Sequence, residues 1–142
     1  MANNFIEDKQ FENIDFTDQE LKNIEYSDCS FLNCVFNSTN LSDTKFVDCT
    51  FENCDFSLAN LSNTAFQYVE MKGCKLVGLH FEYCSNFLWA INFVNCDLSL
   101  SSFYQRQLKQ TQFNQCNLQE VDFSEADACL LYTSDAADEA KC

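Results

Sequence analysis

The side chains best equipped for chemistry are ten cysteines, in a chain of 142 residues that carries one histidine, His80. Thiols can bind zinc, pair as disulfides or attack an electrophile. Spacing decides among these. Cys29 and Cys34 stand five apart, as do Cys49 and Cys54, a C-x4-C spacing that suits no zinc knuckle. Cys29, Cys34, Cys49, Cys54, Cys74, Cys96 and Cys116 instead share one repeating slot otherwise filled by small or β-branched residues. A free cysteine fills such a slot as a small apolar core residue. Cys84 lies in a break of that register and is the thiol expected to be reactive. Two glycines and no proline leave no phosphate-cradling loop, and carboxylates are so abundant that any acid–base pair would be arbitrary. The expectation is a protein that is not an enzyme, with no catalytic residues, no metal and no cofactor.

Charge narrows the partners. Twenty-two acidic residues against eight basic ones give a formal charge of −14. A nucleic-acid binder needs lysine and arginine to displace counterions, so direct DNA or RNA binding is excluded, as is an anionic membrane surface. Residues 1–60 hold 12 acidic and 3 basic residues, whereas residues 61–128 hold 7 and 4. Within the acidic half, Asp8, Asp28 and Asp48 recur at intervals of 20. The N-terminus lacks the basic start and apolar stretch of a signal peptide. The apolar run from Tyr83 to Cys96 is too short to span a bilayer, so a cytoplasmic protein is expected.

The element that must position these groups is a repeat of five. Every fifth residue from Ile6 to Phe81 is large and apolar, and the series resumes, two residues late, from Leu88 to Phe123. A period of five is neither the 3.6 of a helix nor the 2.0 of a strand. The residue two before each large one is mostly small or β-branched, and none of the 19 acidic residues from Glu7 to Asp127 falls on either position. Two residues in five therefore point inward. Asp28 to Phe46 aligns with Asp48 to Phe66 at 11 of 19 positions, so four fives make one coil. Coils stacked by backbone hydrogen bonds, about 4.8 Å apart, put Leu21, Leu41 and Leu61 in one column and Phe16, Phe36 and Phe56 in another.

Tandem fives of the form Ala59-Asn60-Leu61-Ser62-Asn63 resemble the pentapeptide-repeat proteins, whose members form a right-handed quadrilateral parallel β-helix. The resemblance covers nearly everything from residue 6 to 127 and implies an all-β solenoid of about six coils. Acidity, tandem Phe/Leu fives and a mid-chain irregularity are similar to the quinolone-resistance type of the family. That likeness implies a DNA mimic engaging DNA gyrase or topoisomerase IV, with Asp8, Asp28 and Asp48 as the mimicking stripe. The long loops of many such proteins are absent, and so is their C-terminal dimerisation module, so a homodimer is expected only with a further C-terminal part. The alternative is a general scaffolding module with no topoisomerase link.

Two stretches break the pattern. Residues 82–92 must absorb a two-residue excess beside the only tryptophan. They form either a protruding loop with Trp89 as a partner contact, or a bulge with Phe87 or Trp89 packed; the bulge is favoured. Arg106 falls on an inward slot, shares a column with Asn86 of the break, and is expected to lean outward or to pair there. After Phe123 the period dies, and Cys129 to Glu139 resembles a translated sequencing-library adapter rather than a native cap. The division is thus 1–128 as β-helix and 129–142 as a non-native tail, with a natural chain expected to continue by further coils.

Overall fold

The computed structural model describes residues 4–127, so the adapter-like tail, 129–142, lies outside the described residues. The backbone winds into a four-sided parallel β-helix. Two sides carry short strands: β1 (Phe5–Glu7), β3 (Glu25–Ser27) and β5 (Lys45–Val47) on one, β2 (Gln10–Glu12), β4 (Ser30–Leu32) and β6 (Thr50–Glu52) on the next. They are followed by β7 (Ala65–Lys72), β8 (Ala90–Val94) and β9 (Thr111–Asn114). Every pairing is parallel, and the register is the sequence period: Ile6, Tyr26, Phe46 and Phe66 lie side by side, as do Phe11, Phe31, Phe51 and Met71. The other two sides are held by single bridges such as Asp15, Val35 and Asp55, or Asn40 and Asn60.

Corners explain how five residues make a flat side and a right-angled turn. The residue two after each large one takes a positive φ at most corners, among them Asp8, Asn13, Asp28, Asn33, Asp48 and Asn53. Asparagine and aspartate tolerate that region better than other side chains with a Cβ. Where Thr39 N donates to Phe36 O at 3.1 Å around Ser38 (φ 54°), the corner is a type II turn. The abundance of Asn and Asp outside the core is therefore partly a demand of the backbone.

Like stacks on like inside. Phe31 and Phe51 rings lie 4.7 Å apart and 7° from parallel, Phe36 and Phe56 4.6 Å and 9°, and Phe81 and Phe103 4.7 Å and 1°. These rings are fully buried, and each contributes about 1.5–3 kcal/mol by leaving water. The small slot caps the adjoining coil. Thr44 and Thr64 hydroxyls donate to Leu21 O and Leu41 O at 2.8 Å, and Cys54 and Cys74 thiols donate to Phe31 O and Phe51 O at 3.4 and 3.5 Å. All eight described cysteines are buried free thiols. Because the break changes the coil to 22 residues there, with Met71 beside Phe93, Cys74 is followed in its column by Cys96 and then Cys116.

Candidate functional site

Two features stand out from the regular stack: an acidic corner and the register break beside it. Asp8, Asp28 and Asp48 occupy equivalent turns with φ of 58°, 55° and 53°, and all three are exposed. The backbone alone does not ask for charge there. The next corner of the same coils meets the same φ with Asn13, Asn33 and Asn53. Among the described residues the one Lys/Arg–carboxylate pair, Lys45 with Glu25 at 4.0 Å, and the contact of His80 with Glu82 at 3.3 Å both lie off the row, which has no cation within pairing distance. In the next coil the same corner is Tyr68 (φ 58°), also exposed.

The break is narrower than the interval 82–92. Ser85 N still donates to Thr64 O at 2.8 Å in the 20-residue register, and Cys84 closes its turn on Phe81 O at 3.1 Å. By Ile91 the offset from Val69 is 22. The two extra residues are therefore absorbed between Cys84 and Ile91. Cys84 fills the inward small slot, and burial pushes its thiol up to about 12, so the expectation of a reactive thiol is corrected. Leu88, expected inward, is half-exposed at φ 54°, and Phe87 is exposed beside it. Trp89 turns inward instead, 6% exposed, edge-on to Phe66 and Phe81, with its Nε1 donating to Thr111 Oγ1 at 2.7 Å. The side chain named from the sequence as a loop contact thus lies within the core, and its neighbours Phe87 and Leu88 form the surface. Both sequence alternatives describe part of the segment: a packed bulge at Trp89 and an exposed apolar tip.

Arg106 explains how the irregular coil is held. Of the two expectations, it does not lean outward but pairs at the break, with backbone carbonyls of the segment rather than with the Asn86 side chain. Only 3% exposed, it donates from one terminal nitrogen to Phe81 O (3.0 Å) and Cys84 O (2.8 Å), and from the other to Ser85 O (2.9 Å). Its guanidinium carbon sits 4.3 Å from the centre of the Trp89 ring, and burial lowers its pKa from the ordinary arginine value. The column supplies Thr44 and Thr64 in regular coils, whose short hydroxyls reach one carbonyl each. A wider coil exposes more carbonyls, and a long forked donor meets them.

Equal coils would leave flat sides, but the break opens a groove of about 430 Å³ at the corner that carries the acidic row. Asp48, Tyr68, Glu70, Ala90, Asn92 and Lys109 are among its lining residues. Tyr68 bulges outward where the register shifts between Gln67 and Val69, and the next coil returns to the stack at Ala90, which has almost no side chain. The sequence reading missed this groove. Its signal was Tyr68 interrupting the column begun by Asp8, Asp28 and Asp48, one coil from a two-residue excess. Among the described residues no cluster of three or more His, Cys, Asp or Glu could hold a metal ion.

Comparison with known proteins follows the same lines. A family model described as a pentapeptide repeat region matches residues 5–81, and one described as pentapeptide repeats (8 copies) matches 107–129. No curated protein matches the chain. Among solved structures, full-length QnrB1, a plasmid-mediated fluoroquinolone resistance protein, is 15% identical over 92% of this chain and 94% of its own, with a TM-score of 0.50. A pentapeptide repeat protein from the Arabidopsis thaliana thylakoid lumen is 15% identical over 89% of this chain and 70% of its own, with a TM-score of 0.43. One from the cyanobacterium Cyanothece 51142 is 13% identical over 92% and 84%, with a TM-score of 0.29. At these identities the likeness is one of fold.

Proposed function

From the premise that the chain belongs to the pentapeptide-repeat family, we propose that it is a non-catalytic rod whose acidic corner binds a protein surface that otherwise binds DNA, that of a type II topoisomerase such as DNA gyrase or topoisomerase IV. The observation that carries this is the exposed row Asp8, Asp28 and Asp48 at a corner where asparagine would serve the backbone equally well. Three carboxylates stacked at about 4.8 Å repel one another by roughly 1 kcal/mol per neighbouring pair even in water. Folding gains nothing from that repulsion, so its benefit lies in an encounter with a cationic surface. A line of fixed negative charge on a stiff support is what such a surface meets along a DNA strand. The fluoroquinolone-resistance role of QnrB1 agrees with this reading for a chain of the same fold. The protein then acts in the cytoplasm, with no direct nucleic-acid or membrane contact; among the described residues no helix is long and apolar enough to cross a membrane.

The test is a titration of the full chain against gyrase at several salt concentrations, with circular dichroism verifying the fold. Affinity should fall steeply as ionic strength rises, because exposed charges are screened over about 8–10 Å at 0.1–0.15 M salt. Changing Asp8, Asp28 and Asp48 together to Asn keeps the corner conformation and should weaken binding further. Unchanged affinity in that triple variant refutes the stripe. A folded chain that does not bind at any salt leaves the scaffolding module as the reading.

A further inference from the structure

The groove at the register break continues the acidic row and ends it in something other than charge. Asp48, the last carboxylate of the row, lines one end, and Lys109, three coils on, lines the other, about 14 Å away at the coil spacing. Between them the wall is Tyr68, 61% exposed, with Glu70 beside it and Ala90 leaving space below. Glu70 is held in place by Asn92, whose Nδ2 donates to its Oε2 at 3.4 Å. An aromatic face, two carboxylates and a gap are the complement of one kind of side chain. A guanidinium is planar, stacks on an aromatic ring and forks two hydrogen bonds to a carboxylate, whereas an ammonium is a compact, strongly hydrated point charge.

We propose that the groove lined by Asp48, Tyr68, Glu70 and Ala90 is a docking site for one arginine side chain of a protein partner. The inference rests on the protein-binding role proposed above and adds an anchored contact to its row of charges. Polarity sets the direction. Lys109 repels a second cation at the far end, so the bound segment runs along the corner with its remaining basic residues over Asp28 and Asp8. The row then supplies long-range attraction, and the groove supplies a contact that distinguishes arginine from lysine. Tyr68 is an unfavourable residue for a corner of positive φ, where Asn or Gly sits more easily. Its presence there is accounted for by the ring it offers to the guanidinium.

The test uses blocked tri-arginine and tri-lysine amides as probes, followed by amide shifts of the full 15N-labelled chain at low salt. Tri-arginine should shift Tyr68, Glu70, Ala90 and Asn92 and bind about tenfold more tightly than tri-lysine, a difference of about 1.4 kcal/mol. Ala90→Leu fills the groove without altering charge and should abolish the preference for arginine. Tyr68→Asn removes the ring while suiting the turn, and should do the same. Shifts confined to Asp8, Asp28 and Asp48, or an arginine preference that survives both variants, overturn the site while leaving the charged row intact. A seated tri-arginine in a chain that ignores gyrase refutes the topoisomerase reading and retains the groove.

Discussion

Replacing Arg106 separates its role as a clasp from its role as filler. Its three hydrogen bonds end on Phe81 O, Cys84 O and Ser85 O, but these acceptors are not equally dependent on it. Phe81 O also receives Cys84 N at 3.1 Å, and Ser85 O is only partly buried. Cys84 O is buried, and Arg106 is its donor. Arg106→Met keeps much of the stem against Trp89 and strips all three donors. The cost is then chiefly one buried carbonyl without a partner, about 1–3 kcal/mol, set against the relief of no longer desolvating a guanidinium. A net loss of about 2 kcal/mol is expected. Arg106→Ala adds a cavity beneath Trp89 and should cost about 4 kcal/mol, in the range of other large core truncations. Urea unfolding followed by circular dichroism gives the stabilities, and hydrogen exchange locates the loosening, which should centre on residues 84–91. If the methionine variant is as stable as the parent and its exchange at Cys84 to Ile91 is unchanged, the clasp does not exist.

Four other substitutions follow from the stack. Burial raises Cys84 and Cys49 from 9.0 and Tyr26 from 10.0, each to about 12. Because the folded pKa values lie above the unfolded ones, their contribution is complete below pH 9 and is lost as pH climbs towards 12. For Cys84 alone the loss is about 4 kcal/mol, so Cys84→Ala should flatten the decline in urea midpoint between pH 9 and 12; an unchanged slope contradicts the burial argument. Leu41→Asp places a carboxylate between Leu21 and Leu61 with no partner and should leave no cooperative transition by circular dichroism at neutral pH; a variant as stable as the parent refutes the inward assignment. At the corners, Gly73→Ala brings a Cβ to 2.5 Å from Asn53 Oδ1 at φ +63° and should cost about 1–2 kcal/mol. Leu58→Asn, at φ 65° and 73% exposed, should gain up to about 1 kcal/mol, and urea midpoints of the two variants should move in opposite directions.

The fold was legible because two inward positions in five repeat with little interruption, and a strict period fixes the register by itself. Leu21, Leu41 and Leu61, or Phe16, Phe36 and Phe56, could be stacked on paper and stack in the structure. What the period hides is the conformation of residues outside it. Asp8 and Asn13 looked alike as polar surface, yet each holds a left-handed corner. Only that common φ shows which charges the backbone leaves unexplained. The break was legible as an excess of two residues but not in its placement. Counting back in fives from Phe123 assigns the inward slot to Leu88, because a count spreads an insertion over no particular bond. Packing chooses otherwise: Cys84 keeps the old column, and the large indole of Trp89 fills the wider coil better than leucine. Arg106 was only half legible for a related reason. A charge on an inward slot looks like an error until carbonyls freed by the insertion are seen to need it.

The same two residues account for every departure from regularity near the candidate site. An insertion in a stacked coil must lengthen one side, and the lengthened side turns carbonyls inward that a threonine cannot reach. Arg106 takes them, and its cation in turn needs a polarisable neighbour, which Trp89 provides at 4.3 Å. With Trp89 turned in, Phe87 and Leu88 are turned out, and the chain rejoins its neighbour only at Ala90. The groove between Tyr68 and Ala90 is the surface counterpart of that internal repair. A deletion of Phe87 and Leu88 that restored a 20-residue coil would bring Arg106 against a regular side with no spare carbonyls, so the deletion and Arg106→Thr should be stabilising together and destabilising apart. The coupling between them, measured as a double-mutant cycle in urea, should be about 2 kcal/mol or more, since both changes act on one hydrogen-bonded unit. Additive effects would mean that the insertion and the buried arginine sit together by accident, and that the groove has a different origin.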